Sequence, residues 1–348
     1  MHLRTLKIHK KIGVYLYALL LTAIINILPY KSVAGITTTQ TFNLIKGWNA
    51  IFLEVYPDEP DLDTTFKDTP ISQVLSYFPA SSPTQFIQNP DEIDWKKEKW
   101  QVWFQPGHPQ EYLKTLHALI DHQAYIVFST SDYTLEITGT PGIQTRQWQP
   151  DAFNLVGFYV DSIAPPTFAQ YFAGSRNHQD MNIYALKNGI WKAIEHPDLE
   201  LIQKSTAYWV YCEGGSQYPG PLEIKLPGAN TYLDFDRTIS EWELEIINRT
   251  PDPLSFTIAP IPNPEDEETV PLSTVSYTLI TLKEYHPFEA QTEPILLEEG
   301  QSEQFIIAIR RDEIISESVS GMITIFDDLG NRFFLPIKAK KIERQYNE

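Results

Sequence analysis

The chain is 348 residues long, 42% hydrophobic and 13% aromatic, with 26 Pro against 16 Gly. This length suits two or three domains, and the apolar content excludes a disordered chain. A formal charge of −18 argues against nucleic acid and anionic membrane as partners, because so acidic a chain repels phosphate, and a single cysteine, Cys212, excludes an internal disulfide.

Residues 1–34 read as a signal peptide. Arg4, Lys7, Lys10 and Lys11 precede an apolar run from Ile12 to Leu28, and Ser32 and Ala34 stand at the −3 and −1 positions of a cleavage site. An uncleaved anchor helix is the alternative, since the run is near the lower length limit for spanning a bilayer. Cleavage removes five basic residues and no acidic ones, so the net charge moves from −18 to −23. No later stretch is long and apolar enough to span a membrane, and the rest of the chain is expected to be exported: periplasmic, at the cell surface or extracellular.

From residue 35 the pattern is mainly β and internally duplicated. "FNLIKGWNAIFLEV" (42–55) opens the first unit and "FNLVGFYV" (153–160) the second. Acidic or Pro-rich turns follow each, then a stretch around a Trp ("WQVWF"; "IYALKNGIWKAI"), then "AYIVF" and "AYWVY", then "LEITGTPG" and "LEIKLPG". Five features in one order define two β modules, 35–148 and 149–228. In the second, Lys-Asn-Gly signals a two-residue hairpin. The first is longer by an insertion, "TQFIQNPDEIDWKKEKW", and by an expected helix over 109–123 with Tyr112, Leu113, Leu116, Leu119 and Ile120 at helical spacing.

Alternation along "GWNAIFLEV" points Trp48, Ala50, Phe52 and Glu54 one way and Asn49, Ile51, Leu53 and Val55 the other. Both sets are mostly apolar, so this strand is buried on both faces. Asn49 recurs as Asn154 and Tyr125 as Tyr208, and these four, with Trp48 and Trp209, are read as structural. A buried amide suits the bridging of backbone groups at a corner. Cys212, in "YWVYC", reads as a buried strand residue.

From residue 229 the chain changes to short alternating strands such as "WELEIIN", "LSFTIAP", "QFIIAIR", "GMITIFDD" and "RFFLPIKA". Their spacing is that of a seven-stranded, immunoglobulin-like β-sandwich over 229–340, with a closing hairpin at Gly330-Asn331 and a polar tail, 341–348.

The pattern "GWNAIFLEV … AYIVF … LEITG", repeated as "FNLVGFYV … AYWVYCEGG … LEIKLPG", resembles that of uncharacterised secreted bacterial multidomain proteins with tandem GWN-type β modules followed by an immunoglobulin-like domain. The second copy departs from it, with Ala152-Phe153 in place of Gly-Trp. The tail is similar to the immunoglobulin-like domains that follow adhesive or anchoring modules on bacterial surfaces. The resemblance implies no catalytic residues.

Chemistry-bearing motifs are sparse. His117 and His122 lack metal-ligand spacing and read as surface residues, and "GGSQYPG" lacks the second glycine that a nucleophile elbow needs around Ser216. The acidic runs "PDEPDLD" and "NPEDEE" lack the EF-hand spacing, so solvated loops are favoured over calcium sites. "NRT" at Asn248 is a glycosylation sequon. No metal and no cofactor is expected.

These features together predict a non-catalytic exported or cell-surface protein, acting in attachment or assembly through its β modules, with another surface protein or a polysaccharide as partner. The alternative is polysaccharide binding in the first module. There Trp95 and Trp103 would offer rings for stacking, and Asn89 and Gln101 would offer amides for hydroxyls; Trp100 would face the core. A secreted hydrolase is the third reading.

Overall fold

Two four-stranded sheets of the same connectivity form the centre of the protein in the computed structural model, which describes residues 36–78, 99–144, 146–228, 230–263, 267–277 and 282–342. The expected leader and the polar tail beyond residue 342 lie outside these residues. The described residues cluster as one compact unit.

The first module runs β1 (Thr38–Leu44), β2 (Gly47–Leu53), β3 (Val55–Pro57), α1 (Leu62–Thr65), β4 (Ile71–Tyr77), β5 (Trp100–Phe104), β6 (Gln123–Ser129) and β7 (Tyr133–Pro141). The second runs β8 (Ala152–Val156), α2 (Phe168–Phe172), β9 (Ile183–Lys187), β10 (Ile190–Ala193) and β11 (Tyr208–Cys212). Sheet order is β2-β6-β4-β5 in one and β8-β11-β9-β10 in the other, the same path through space. The registers agree as well: Asn49 faces Val127 and Ile51 faces Tyr125, while Asn154 faces Val210 and Val156 faces Tyr208. The β9–β10 turn is the two-residue hairpin that Lys-Asn-Gly signals, with Asn188 at φ 54° and Gly189 at φ 76°.

Alternation then assigns each face a layer. Ile51 and Leu53 pack against Phe42, Leu44, Val55, Leu135 and Ile137 of the three-stranded sheet β1-β7-β3. Trp48 and Phe52 on the opposite face meet Leu155, Trp191 and Trp209 of the second module. The far face of that module is covered by Phe168, Tyr171 and Phe172 of α2, which a capping box of Thr167 and Gln170 starts. The two copies thus bury equivalent faces against each other. Trp100 and its counterpart Trp191 both lie edge-on to Trp209, with ring centroids 6.1 Å away in each case.

The expected helix over 109–123 is absent. Only Glu111–Leu113 coils, as one 3₁₀ turn, and Lys114 is already extended at ψ 125°. The Val102 carbonyl accepts from both Thr115 N and Leu116 N, which holds this stretch against β5. Leu116 and Leu119 reach the core that way, while Tyr112 is left 82% exposed. Tertiary hydrogen bonding overrides the helical spacing here.

Among the described residues the third part is a sandwich of ten strands where seven were expected. These are β12 (Leu222–Lys225), β13 (Leu233–Asp234), β14 (Glu241–Asn248), β15 (Leu254–Ile261), β16 (Leu272–Tyr277), β17 (Lys283–Pro287), β18 (Ile295–Leu297), β19 (Ser302–Ile309), β20 (Ser318–Asp327) and β21 (Arg332–Lys340). The sheets are β12-β14-β19-β16-β17 and β13-β21-β20-β15-β18 around one apolar core. The extra strands have local causes. β12, expected to close the second module, finds no counterpart of β1 there and pairs with β14 of the sandwich instead. The β16–β17 hairpin was not anticipated, although "LSTVSY" alternates.

A buried polar node ties the two modules together. Gln40 Nε2 donates to the Phe52 carbonyl at 2.8 Å and to Ser205 Oγ at 2.9 Å, while its Oε1 accepts from Glu54 N. Glu54 is 6% exposed, and burial pushes its carboxyl from 4.5 up to about 7 against the pull of Lys204. Between those values the folded chain keeps a proton that the unfolded chain has released. Stability from Glu54 is therefore full below about pH 4.5 and is lost as pH rises through about 7. Asp327, also raised to about 7, acts in the same direction, and buried His178, lowered to about 4, acts in the opposite one. Glu54→Gln isolates the first effect. It should be more stable than wild type at pH 8, with the gap closing by pH 4; urea unfolding at both pH values measures it, and a gap of equal size at both contradicts the assignment.

Candidate functional site

The residues singled out as structural make matching bonds in both modules. Asn49 Oδ1 accepts from Ile45 N at 2.9 Å, and its Nδ2 donates to the carbonyls of Ile45 and Gly47 at 2.8 and 2.9 Å. Asn154 accepts from Gln149 N at 2.8 Å and donates to the carbonyls of Gln149 and Ala152 at 3.2 and 3.0 Å. Each amide closes the corner that leads into its strand. Each tyrosine hydroxyl accepts from a backbone N–H five residues earlier, Tyr125 from Ile120 at 2.6 Å and Tyr208 from Gln203 at 3.0 Å. Trp48 is 8% exposed and Trp209 1%.

The expected sugar surface on β5 has no exposed ring. Trp103 is 0% exposed and Trp100 6%. Trp100 does take the side that faces the second module, and Trp103 does take the opposite side. That opposite side is covered by the β1-β7-β3 layer and by Leu116 and Leu119, so neither side meets solvent. The Trp103 indole N–H donates to Asp63 Oδ1 at 2.7 Å and its ring tilts against Phe66 at 5.3 Å. Gln101 is half-buried, and Trp95 and Asn89 lie outside the described residues. Stacking of a sugar on Trp103 is therefore overturned by burial.

Other polar motifs resolve into local structural roles. Asp61 caps α1 through Thr64 N, and Asp63 pairs with Lys114, which with Trp103 holds its carboxyl below the usual range. Glu268 accepts from Ile315 N and Ser316 N. Asn248 of the sequon is fully buried, its Nδ2 donating to the carbonyls of Asp252 and Leu297 and its Oδ1 accepting from Thr250, so the folded chain offers no amide to glycosylate. Cys212 is buried and its thiol is pushed up to about 11. His117 is exposed as expected, but the His122 side chain is only 7% exposed.

The candidate interaction surface is the β16–β17 hairpin, on which no candidate residue had been placed. β17 ends its sheet, pairs only with β16 among the described residues, and has all five of its residues exposed. Tyr277, Leu282 and Tyr285 are 58%, 64% and 53% exposed. Glu241 of β14 holds the strand's charged face in place: it accepts from Lys283 Nζ at 2.6 Å and from Tyr285 Oη, and both contacts lower its carboxyl. A fixed strand at a sheet margin, with exposed tyrosines on it and on the strand beside it, can take a further strand or a flat apolar surface.

No family model matches the chain, and no curated protein does. Solved structures give distant likenesses. One is the ASH/PapD-like domain of human CEP192, at 9% identity and TM-score 0.23 over 36% of this chain and 87% of that one. A FixG-related protein from Vibrio parahaemolyticus stands at 12% and 0.21, over 36% and 97%. The MSCRAMM ACE of Enterococcus faecalis stands at 7% and 0.18, over 88% and 84%. With every TM-score below 0.5 these likenesses decide nothing, and the fold rests on the sheets themselves.

Proposed function

We propose that this chain is a non-catalytic exported or cell-surface protein that acts in attachment or assembly through its β modules. The observation that carries the reading is the β16–β17 hairpin, where Tyr277, Leu282 and Tyr285 stand more than half exposed beside an open strand edge. Exposed tyrosines are effective contact residues because a rigid ring buries much area at small entropic cost. The sandwich sheet carries that edge, and the first 34 residues supply the route out of the cell.

Rebinding to cells tests both parts. Labelled protein beginning at Gly35 should bind saturably to cells from which it has been removed, and the natural surface form should begin at or near Gly35. Tyr277→Ser with Tyr285→Ser should weaken binding by about tenfold or more, the scale of losing one contact cluster, with the thermal midpoint nearly unchanged. Undiminished rebinding of the double variant, or a surface form that retains Met1, contradicts the reading.

A further inference from the structure

Where the two modules and the sandwich meet, the chain forms a partly open cavity of about 440 Å³. Phe52, Tyr77 and His122 come from the first module, Arg146 and Tyr159 from the second and its lead-in, and Phe333 from β21. Volumes of several hundred Å³ suit a small organic ligand. Tyr159 sits at the hub, its ring centroid 5.7 Å from Phe52, 5.6 Å from His122 and 5.7 Å from Phe333.

Three buried polar groups on this wall have atoms without hydrogen-bond partners: the donors Arg146 Nη1 and Tyr159 Oη, and the His122 ring, whose Nδ1 is unmet. His122 Nε2 lies 3.2 Å from Asp121 Oδ2, and His122 itself is held at φ 55°, a left-handed conformation that costs a non-glycine residue energy. Arg146 Nη2 donates to the Gly157 carbonyl, and its guanidinium lies 5.3 Å from the Trp148 ring and 5.1 Å from the Phe158 ring. Among the described residues no carboxylate pairs with it, and the one acid on the cavity wall, Glu223, is bound to Arg249. A buried guanidinium without a counter-anion is costly, and two aromatic faces offset only part of that cost.

We propose that this cavity binds a small organic monocarboxylate. Its carboxylate would take the free N–H of Arg146 and the Tyr159 hydroxyl, and its body would lie against Phe52, Tyr77 and Phe333. One unpaired cation balances one negative charge, so a monoanion fits better than a phosphate dianion. The body is either a sugar ring, as in a uronate, or an apolar ring, as in an aryl acetate; both carry the same recognised group. This site is independent of the attachment reading and stands or falls without it.

Calorimetric titration of the protein beginning at Gly35 with glucuronate, phenylacetate, glucose and inorganic phosphate tests the proposal. One of the two carboxylates should bind, glucose and phosphate should not, and which carboxylate binds identifies the body. Arg146→Gln should weaken that binding by about tenfold or more, as loss of a charge-assisted contact does. Tyr159→Phe, which removes only a hydroxyl and keeps the ring packing, should weaken it by about fivefold and decides the matter if the arginine variant fails to fold. The proposal is overturned if neither carboxylate binds, if glucose or phosphate binds as well as the carboxylate, or if Tyr159→Phe binds like wild type.

Discussion

Trp209→Ala is expected to cost roughly 3–5 kcal/mol of folding stability and to lower the thermal midpoint by about 10 °C. The ring is 1% exposed in the layer between the two modules, with Tyr77 at 5.4 Å and Trp100 and Trp191 at 6.1 Å, all edge-on. Removing it deletes three aromatic contacts and leaves a cavity whose walls belong to two rigid sheets, which cannot collapse to fill it. The loss should appear as one cooperative shift, because the layer joins both modules. Urea unfolding followed by circular dichroism measures it. A shift under about 1 kcal/mol would mean the layer is not a packed core.

Gly157→Ala is expected to be the most damaging single-methyl addition in the same layer. Counting from the paired Asn49 and Asn154, Gly157 stands where Phe52 stands in the other copy. A Cβ at Gly157 falls 2.2 Å from Phe52 Cβ and Cγ. Two copies facing each other cannot both carry a large side chain at this position: one holds the ring, and the other must hold none. Overpacking of this kind costs about 1–3 kcal/mol, since the Phe52 ring is 2% exposed and would have to leave its edge-on contact with Tyr159. The clash is specific to the pair, so a second change should relieve it. In a double-mutant cycle, Phe52→Gly, which removes both the Cβ and the Cγ that the added methyl meets, should cut the cost of Gly157→Ala by about 1 kcal/mol or more. Strict additivity of the two substitutions would exclude this contact as the cause.

The features that were legible in the sequence share one property: their causes lie within a few residues. Alternation in 48–55 fixes which side chains share a face, because strand side chains point to opposite sides in turn, and the structure keeps Trp48 and Phe52 apart from Ile51 and Leu53. The Lys-Asn-Gly turn depends on two residues that accept positive φ, and the corners at Asn49 and Asn154 depend on an amide reaching backbone four or five residues back. The unpatterned parts had remote causes. Trp103 is buried by Phe42, Leu135 and Leu116, and the helix over 109–123 is displaced by the Val102 carbonyl. β12 leaves its module for β14, more than fifteen residues on, and the cavity needs Phe52, Tyr159 and Phe333 from three parts of the chain. The sequence by itself determined the strands, their faces, the corners and the duplication, because side-chain direction and turn chemistry are short-range. Only the tertiary structure decided which layer covers each face, and hence which tryptophans meet solvent and where polar atoms stay unpaired, because that depends on packing between different elements of the chain rather than on neighbours within one strand or turn.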